Sequence, residues 1–142
     1  MIDLNWFKRV NDIYGHESGD EILIFVADRI KETLRSQDFG GRWGGDEFVL
    51  LLDGADEATT KDIVTRLVQR ISKPYFFRKF NQNAAVGASV GAAFYPENGV
   101  KVQEIINLAD QAMYIVKNDR DTDPGKSLKF AHELNTQEII RV

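Results

Sequence analysis

The segment Gly44-Gly45-Asp46-Glu47 holds the residue types best placed to do chemistry. Its two glycines remove side chains where a ligand would approach, so backbone can touch that ligand closely. Strand alternation points Asp46 and Glu47 to opposite faces. One of them meets Asp3 if the first strand lies beside this hairpin. Asp3 and Asp46 would then form a carboxylate pair for a hard divalent cation. Mg²⁺ is typically held by one or two carboxylates plus substrate phosphates. On residue types alone the segment also reads as a solvated turn with incidental acids, because Gly-Gly-Asp is ordinary turn chemistry.

The surrounding pattern predicts the elements that must position these groups. Met1 to Leu4 reads as the end of a strand, and a short helical segment follows with Phe7, Val10, Ile13 and Tyr14 on one side. Residues 15–19 read as a turn. Ser18 and Glu21 have capping-box spacing ahead of an amphipathic helix over 19–35. Residues 39–43 and 48–52 read as a hairpin joined through the paired glycines. Helical spacing covers 57–71, and Pro74 stops it. Residues 75–80 and 84–95 read as two strands around Asn81-Gln82-Asn83. A helix is predicted over 102–117, a loop over 118–124, a short strand over 128–130 and a weak terminal helix over 132–142. This order implies an α+β fold with a mainly antiparallel central sheet and helices over it.

Composition narrows the function. The 142 residues suggest one domain. There is no Cys, which excludes a disulfide framework, a thiol nucleophile and a Cys-ligated metal. Two His, His16 and His132, are too few and too far apart for a His-rich metal site. The net charge of −4 argues against a nucleic-acid polymer as partner, which needs a basic face. The longest apolar run, Ile22 to Ala27, falls far short of the ~20 residues of a membrane span. The start lacks the pattern of a signal peptide.

Residues Arg42-Trp-Gly-Gly-Asp-Glu-Phe48 match the signature of the GGDEF family of diguanylate cyclases, and other motifs follow at that family's spacing. Asp3-Leu-Asn-Trp-Phe-Lys8, Asn11-Asp12, Gly15-His16 and Gly19-Asp20 resemble its first strand and phosphate loop. Ser89-Val-Gly91 and Ala109-Asp-Gln-Ala-Met-Tyr114 resemble its later strand and last helix. The resemblance covers about residues 2–130. It implies a palm-like fold similar to polymerases and nucleotide cyclases, and condensation of two GTP into cyclic di-GMP with release of pyrophosphate. It also implies an active site shared by a homodimer, two-metal chemistry with Mg²⁺ or Mn²⁺, and a cytoplasmic location, alone or within a larger membrane or sensor protein.

Position by position, the resemblance implies metal binding by Asp3, the Leu4 carbonyl and Asp46. Glu47 is similar to the second signature acid. Trp6, Phe7 and Lys8 would present amides to the phosphates, with the Lys8 ammonium stabilising phosphoryl charge. Asn11 and Asp20 look like guanine readers. Gly44 and Gly45 would admit the nucleotide, and Lys117 matches a lysine reaching the γ-phosphate. Arg35-Ser-Gln-Asp38 stands at the position of the family's inhibitory Arg–x–x–Asp site for cyclic di-GMP, and Arg66 matches a further arginine there. Lys8 and Lys117 also read as solvated charges, Asn11 as a turn cap, Asp20 as a first-turn acid, and Trp43 and Tyr114 as packing residues.

Three departures stand out. Asn5 replaces a frequent second acid. Lys117 is followed by a polar insertion, so Lys126 or Arg120 would take the second phosphate-clamp role, or neither. The family's usual opening segment is absent from the sequence. The expected organisation is a catalytic domain over 1–130 without that segment, then a tail or linker helix over 131–142, with other domains in the full-length protein. The alternative reading is a non-catalytic module that binds GTP or cyclic di-GMP as a regulatory receptor.

Overall fold

The computed structural model describes residues 1–119 and 126–135. The chain divides into two compact units, Leu4–Ala88 and Met1–Asp3 with Ser89–Val142. The boundary passes through two strands, β1 (Ile2–Asn5) and β6 (Gly87–Ala92).

In the Leu4–Ala88 unit, β1 hands over to α1 (Phe7–Tyr14) and α2 (His16–Thr33). The break between these helices is one residue, Gly15, at φ 85°. The turn expected over 15–19 is therefore shorter, and α2 starts at His16. The expected capping box does not form. Ser18 lies inside α2, buried, with its hydroxyl donating to the Tyr14 carbonyl at 3.1 Å. Glu21 instead accepts from the Tyr75 hydroxyl at 2.9 Å. Helix α2 buries Ile22, Leu23, Val26 and Ile30 at the spacing its sequence shows. Hairpin β2 (Phe39–Gly44) and β3 (Glu47–Leu51) is antiparallel, with an irregularity between Arg42 and Gly44. Helix α3 (Glu57–Ile71) runs over the predicted span, capped by the Asp56 carboxylate accepting from the Thr59 amide at 2.8 Å.

The second predicted hairpin differs from expectation. Strands β4 (Tyr75–Phe77) and β5 (Gln82–Ala84) form a separate two-stranded sheet. The stretch read as one strand over 84–95 changes partners after Ala84, and β6 begins at Gly87 in the larger sheet. The small sheet is held by rings rather than by the main ladder. The Tyr14 ring lies tilted against Phe77 and Phe80 with centroids at 5.0 and 5.2 Å, and Phe25 meets Tyr75 at 5.4 Å.

In the other unit, Met1 and Gly91 exchange both main-chain bonds, at 2.8 and 3.0 Å, the pattern of an antiparallel pair. Strand β7 (Leu128–Phe130) joins β6 in parallel. Helix α4 (Val102–Asp119) buries Ala109, Ala112, Met113 and Val116. It extends two residues into the stretch expected as loop. A short 3₁₀ turn, Ala131–Glu133, replaces the start of the predicted terminal helix, whose remainder lies outside the described residues. The larger sheet has the strand order β2-β3-β1-β6-β7. All four residues of β1 are buried.

Candidate functional site

Strand β1 carries two polar residues, Asp3 and Asn5, in a fully buried stretch. A carboxylate 3% exposed needs compensating positive charge. Lys117, near the end of α4, supplies it: its ammonium donates to Asp3 Oδ2 at 2.7 Å. Lys117 therefore stands on the carboxylate expected to ligate metal.

The strand leaves through Trp6 at φ 63°, a left-handed conformation unusual for a bulky residue and costing about 1–3 kcal/mol. Its indole is half exposed and would collide with a Cβ at Gly87, 2.9 Å away. Helix α1 then starts with no side-chain cap and no acidic residue in its first turn. Such an N-terminus, with the positive end of the helix dipole, suits an anion. Phe7 and Lys8 open that first turn, and Lys8 is exposed. Asn11 sits in the middle of α1, not at a cap. Its Oδ1 is buried and has no hydrogen-bond partner among the described residues. Asp20 is exposed on the second turn of α2.

At the hairpin tip, Gly45 has φ 53°, which favours glycine. Neither Gly44 nor Gly45 has any atom within 4 Å of where a Cβ would stand. The space where both side chains would stand is thus open. Arg42 Nε donates to the Gly45 carbonyl at 2.9 Å and braces the turn. The Leu4 amide donates to the Asp46 carbonyl at 3.2 Å, so the residue following Asp3 is laddered to Asp46. Trp43 is 54% exposed and Tyr114 is 50% exposed, which corrects their reading as packing residues.

Arg35 and Asp38 form a closed fork. Arg35 Nη2 and Nε donate to the two Asp38 oxygens at 2.7 and 2.9 Å, and Nη2 also donates to the Asp53 carbonyl at 2.9 Å. The Arg35 and Asp53 amides donate to the same carboxylate. Asp38 has no exposed side-chain surface. The Arg35 guanidinium holds its carboxyl at about 2, down from 3.8. A lowered folded pKa stabilises the fold above the unfolded pKa and is lost as pH falls through the folded one. The stability advantage of the wild type over Asp38→Asn should therefore be full at pH 5 and vanish towards pH 2. Denaturant unfolding at pH 5, 4, 3 and 2 measures it, and an unchanged difference would contradict the fork's contribution. Arg66 is exposed on α3 and pairs with Asp62, one turn earlier, at 3.2 Å. Lys126 is exposed, and Arg120 lies outside the described residues.

Gly19 is a residue that the sequence pattern does not single out by itself. It is buried on α2, and a Cβ there would strike Asn11 Oδ1 and approach the Phe7 ring at 3.3 Å. Its place within Gly19-Asp20 is visible in the sequence, but its contact with α1 depends on how two helices pack.

The family model described as diguanylate cyclase, GGDEF domain, matches residues 1–122, and the chain belongs to that family. The bifunctional diguanylate cyclase/cyclic di-GMP phosphodiesterase MucR of Pseudomonas aeruginosa is 44% identical over 118 residues, covering 83% of this chain and 17% of MucR. Diguanylate cyclase DosC of Escherichia coli K12 is 37% identical, covering 82% of this chain and 25% of DosC. Among solved structures, the GGDEF domain of TpbB (YfiN) from Pseudomonas aeruginosa superposes with a TM-score of 0.86 at 32% identity, covering 99% of this chain and 79% of that one. The chain spans a quarter or less of these two curated relatives.

Proposed function

We propose that this chain is a diguanylate cyclase domain that condenses two GTP into cyclic di-GMP and two pyrophosphates. The observation that carries this reading is the Trp6 junction, where a buried strand bearing Asp3 passes through a left-handed residue to an uncapped helix start. The amides of Trp6, Phe7 and Lys8 would take phosphate oxygens, and the Lys8 ammonium would neutralise developing charge. Lys117 would exchange Asp3 for the γ-phosphate when a triphosphate arrives. Asn11 and Asp20 would read guanine, the buried Asn11 Oδ1 waiting for an N–H donor. Gly44 and Gly45 leave room for the nucleotide, with Glu47 as the second acid of the tip.

Among the described residues no group of three or more His, Cys, Asp or Glu could hold a metal by itself. Two carboxylates and a main-chain carbonyl, from Asp3, Asp46 and Leu4, would suit Mg²⁺ or Mn²⁺ completed by substrate oxygens. A bound divalent cation supplies charge neutralisation at the α-phosphate and acidifies the attacking 3′-hydroxyl. Two copies of the domain, each holding one GTP, would face each other for the two attacks. The substrate implies a cytoplasmic setting; among the described residues no helix is long and apolar enough to cross a membrane. Residues 1–130 would form the working domain and 131–142 a connection to further domains.

Incubation of the purified chain with GTP and Mg²⁺, followed by chromatography, should yield cyclic di-GMP and pyrophosphate in a 1:2 ratio. No cyclic di-GMP at concentrations that allow dimerisation would overturn catalysis. Lys117 closed on Asp3 favours one second reading, a non-catalytic receptor for GTP or cyclic di-GMP. Cyclic di-GMP binding lost in Arg35→Ala, with no turnover by wild type, would select that reading. Product inhibition through Arg35, Asp38 and Arg66 belongs to the first reading. The ligand would use the guanidinium's outer edge, since Nε and Nη2 already serve Asp38.

A further inference from the structure

We infer that Gly19 is the positioning residue for base selectivity, acting through Asn11; this rests on the proposed guanine-reading role of Asn11. Three observations carry it. Gly19 is buried at the crossing of α1 and α2. A Cβ there would fall on Asn11 Oδ1, come within 3.0 Å of Asn11 Cγ and stand 3.3 Å from the Phe7 ring. Asn11 Oδ1 is itself buried and lacks a donor among the described residues.

The consequence follows from the carboxamide's small freedom. Asn11 is held mid-helix, so only its two side-chain torsions can move it. The empty space at Gly19 is what lets the oxygen rest beside α2. A methyl group there would force the carboxamide to another rotamer and change which of its polar atoms a bound base would meet. A backbone shift instead would displace Phe7, whose amide opens the phosphate-binding turn. One missing side chain thus sets the base-reading oxygen and abuts the phosphate end of the same helix.

Guanine offers N–H donors at N1 and at the exocyclic 2-amino group, whereas hypoxanthine keeps N1–H and lacks the amine. An acceptor held at Asn11 should therefore discriminate GTP from ITP. Calorimetric titration with 3′-deoxy-GTP and 3′-deoxy-ITP, which bind but cannot react, measures this directly. The wild type should prefer the guanine nucleotide. Gly19→Ala should reduce that preference about tenfold, the scale of one lost buried hydrogen bond. A merely structural role would weaken both nucleotides equally and leave their ratio unchanged.

A double-mutant cycle with Asn11→Ala, read by thermal unfolding, gives the second measurement. Gly19→Ala should lower the melting temperature in wild type and lower it much less in the Asn11→Ala background, where the clash is gone. Equal losses in both backgrounds would overturn the contact. A wild type that binds neither nucleotide would overturn the guanine-reading site and the inference with it. A wild type that prefers guanine, with the same ratio in Gly19→Ala, would overturn the role of Gly19 alone.

Discussion

Asp46→Asn should cut turnover by about 10²–10³-fold or more while leaving cyclic di-GMP binding at Arg35 and Asp38 intact. The substitution keeps shape and removes one negative charge. The hydrogen bond that anchors this position runs from the Leu4 amide to the Asp46 main-chain carbonyl and is independent of the side chain. The fold and melting temperature should therefore be unchanged. What is lost is a hard anionic donor for the divalent cation, and an amide oxygen is a poor replacement. Loss of one electrostatic partner of a phosphoryl transition state reduces turnover by about 10²–10³-fold. Initial rates with GTP and Mg²⁺ measure the first part. Titration of the variant with cyclic di-GMP measures the second. The Arg35–Asp38 fork is closed by its own four donors from Arg35 and Asp53, none of which involves the tip. Simultaneous loss of turnover and of cyclic di-GMP binding would contradict the separation of the two sites.

Gly91→Ala should be strongly destabilising, more so than a methyl group at Gly99. A Cβ at Gly91 would run into the Ala109 carbonyl oxygen and the Met113 amide nitrogen, both main-chain atoms of α4. The strand cannot retreat, because Gly91 exchanges both hydrogen bonds with Met1. Helix α4 must then move away from β6. Overpacking of this kind costs about 3 kcal/mol, and in a domain near this size that lowers the melting temperature by roughly 10 °C. The same movement carries Lys117 away from Asp3, a contact only 2.7 Å long. Catalysis should fall further than the folded fraction does at assay temperature. Calorimetric melting and rates corrected for folded protein test both parts, and a variant that melts like wild type would contradict the close approach of β6 and α4.

The residue types of the site are legible in the sequence. Asp3, Asp46 and the paired glycines read either as donors for a hard cation or as a solvated turn with incidental acids, and the open space at Gly44 and Gly45 fits both. Helix α3 and the β2–β3 hairpin are legible because their signals are local. A 3.6-residue apolar repeat, a stopping proline and paired glycines act within a few residues of where they are written. Ser18 and Glu21 mislead because capping-box spacing is satisfied as well by a serine inside a helix as by one that starts it. Gly15, with its positive φ, is the residue that ends α1.

Residue order alone settles the inventory of chemistry and the period of each element. The choice of partners belongs to the folded chain. Residues 84–95 read as one strand, yet Ala84 ends β5 in the small sheet and β6 begins at Gly87 in the large one. Propensity does not name the neighbouring strand. Lys117 is legible as a cation at a helix end, but its attachment to Asp3 spans 114 positions. Gly19 is legible as a glycine, but its value lies in the Asn11 carboxamide that occupies its missing side chain. Local patterns encode conformation because their interactions close within a turn. Contacts across the fold depend on packing, and packing is settled only when all elements compete for the same space.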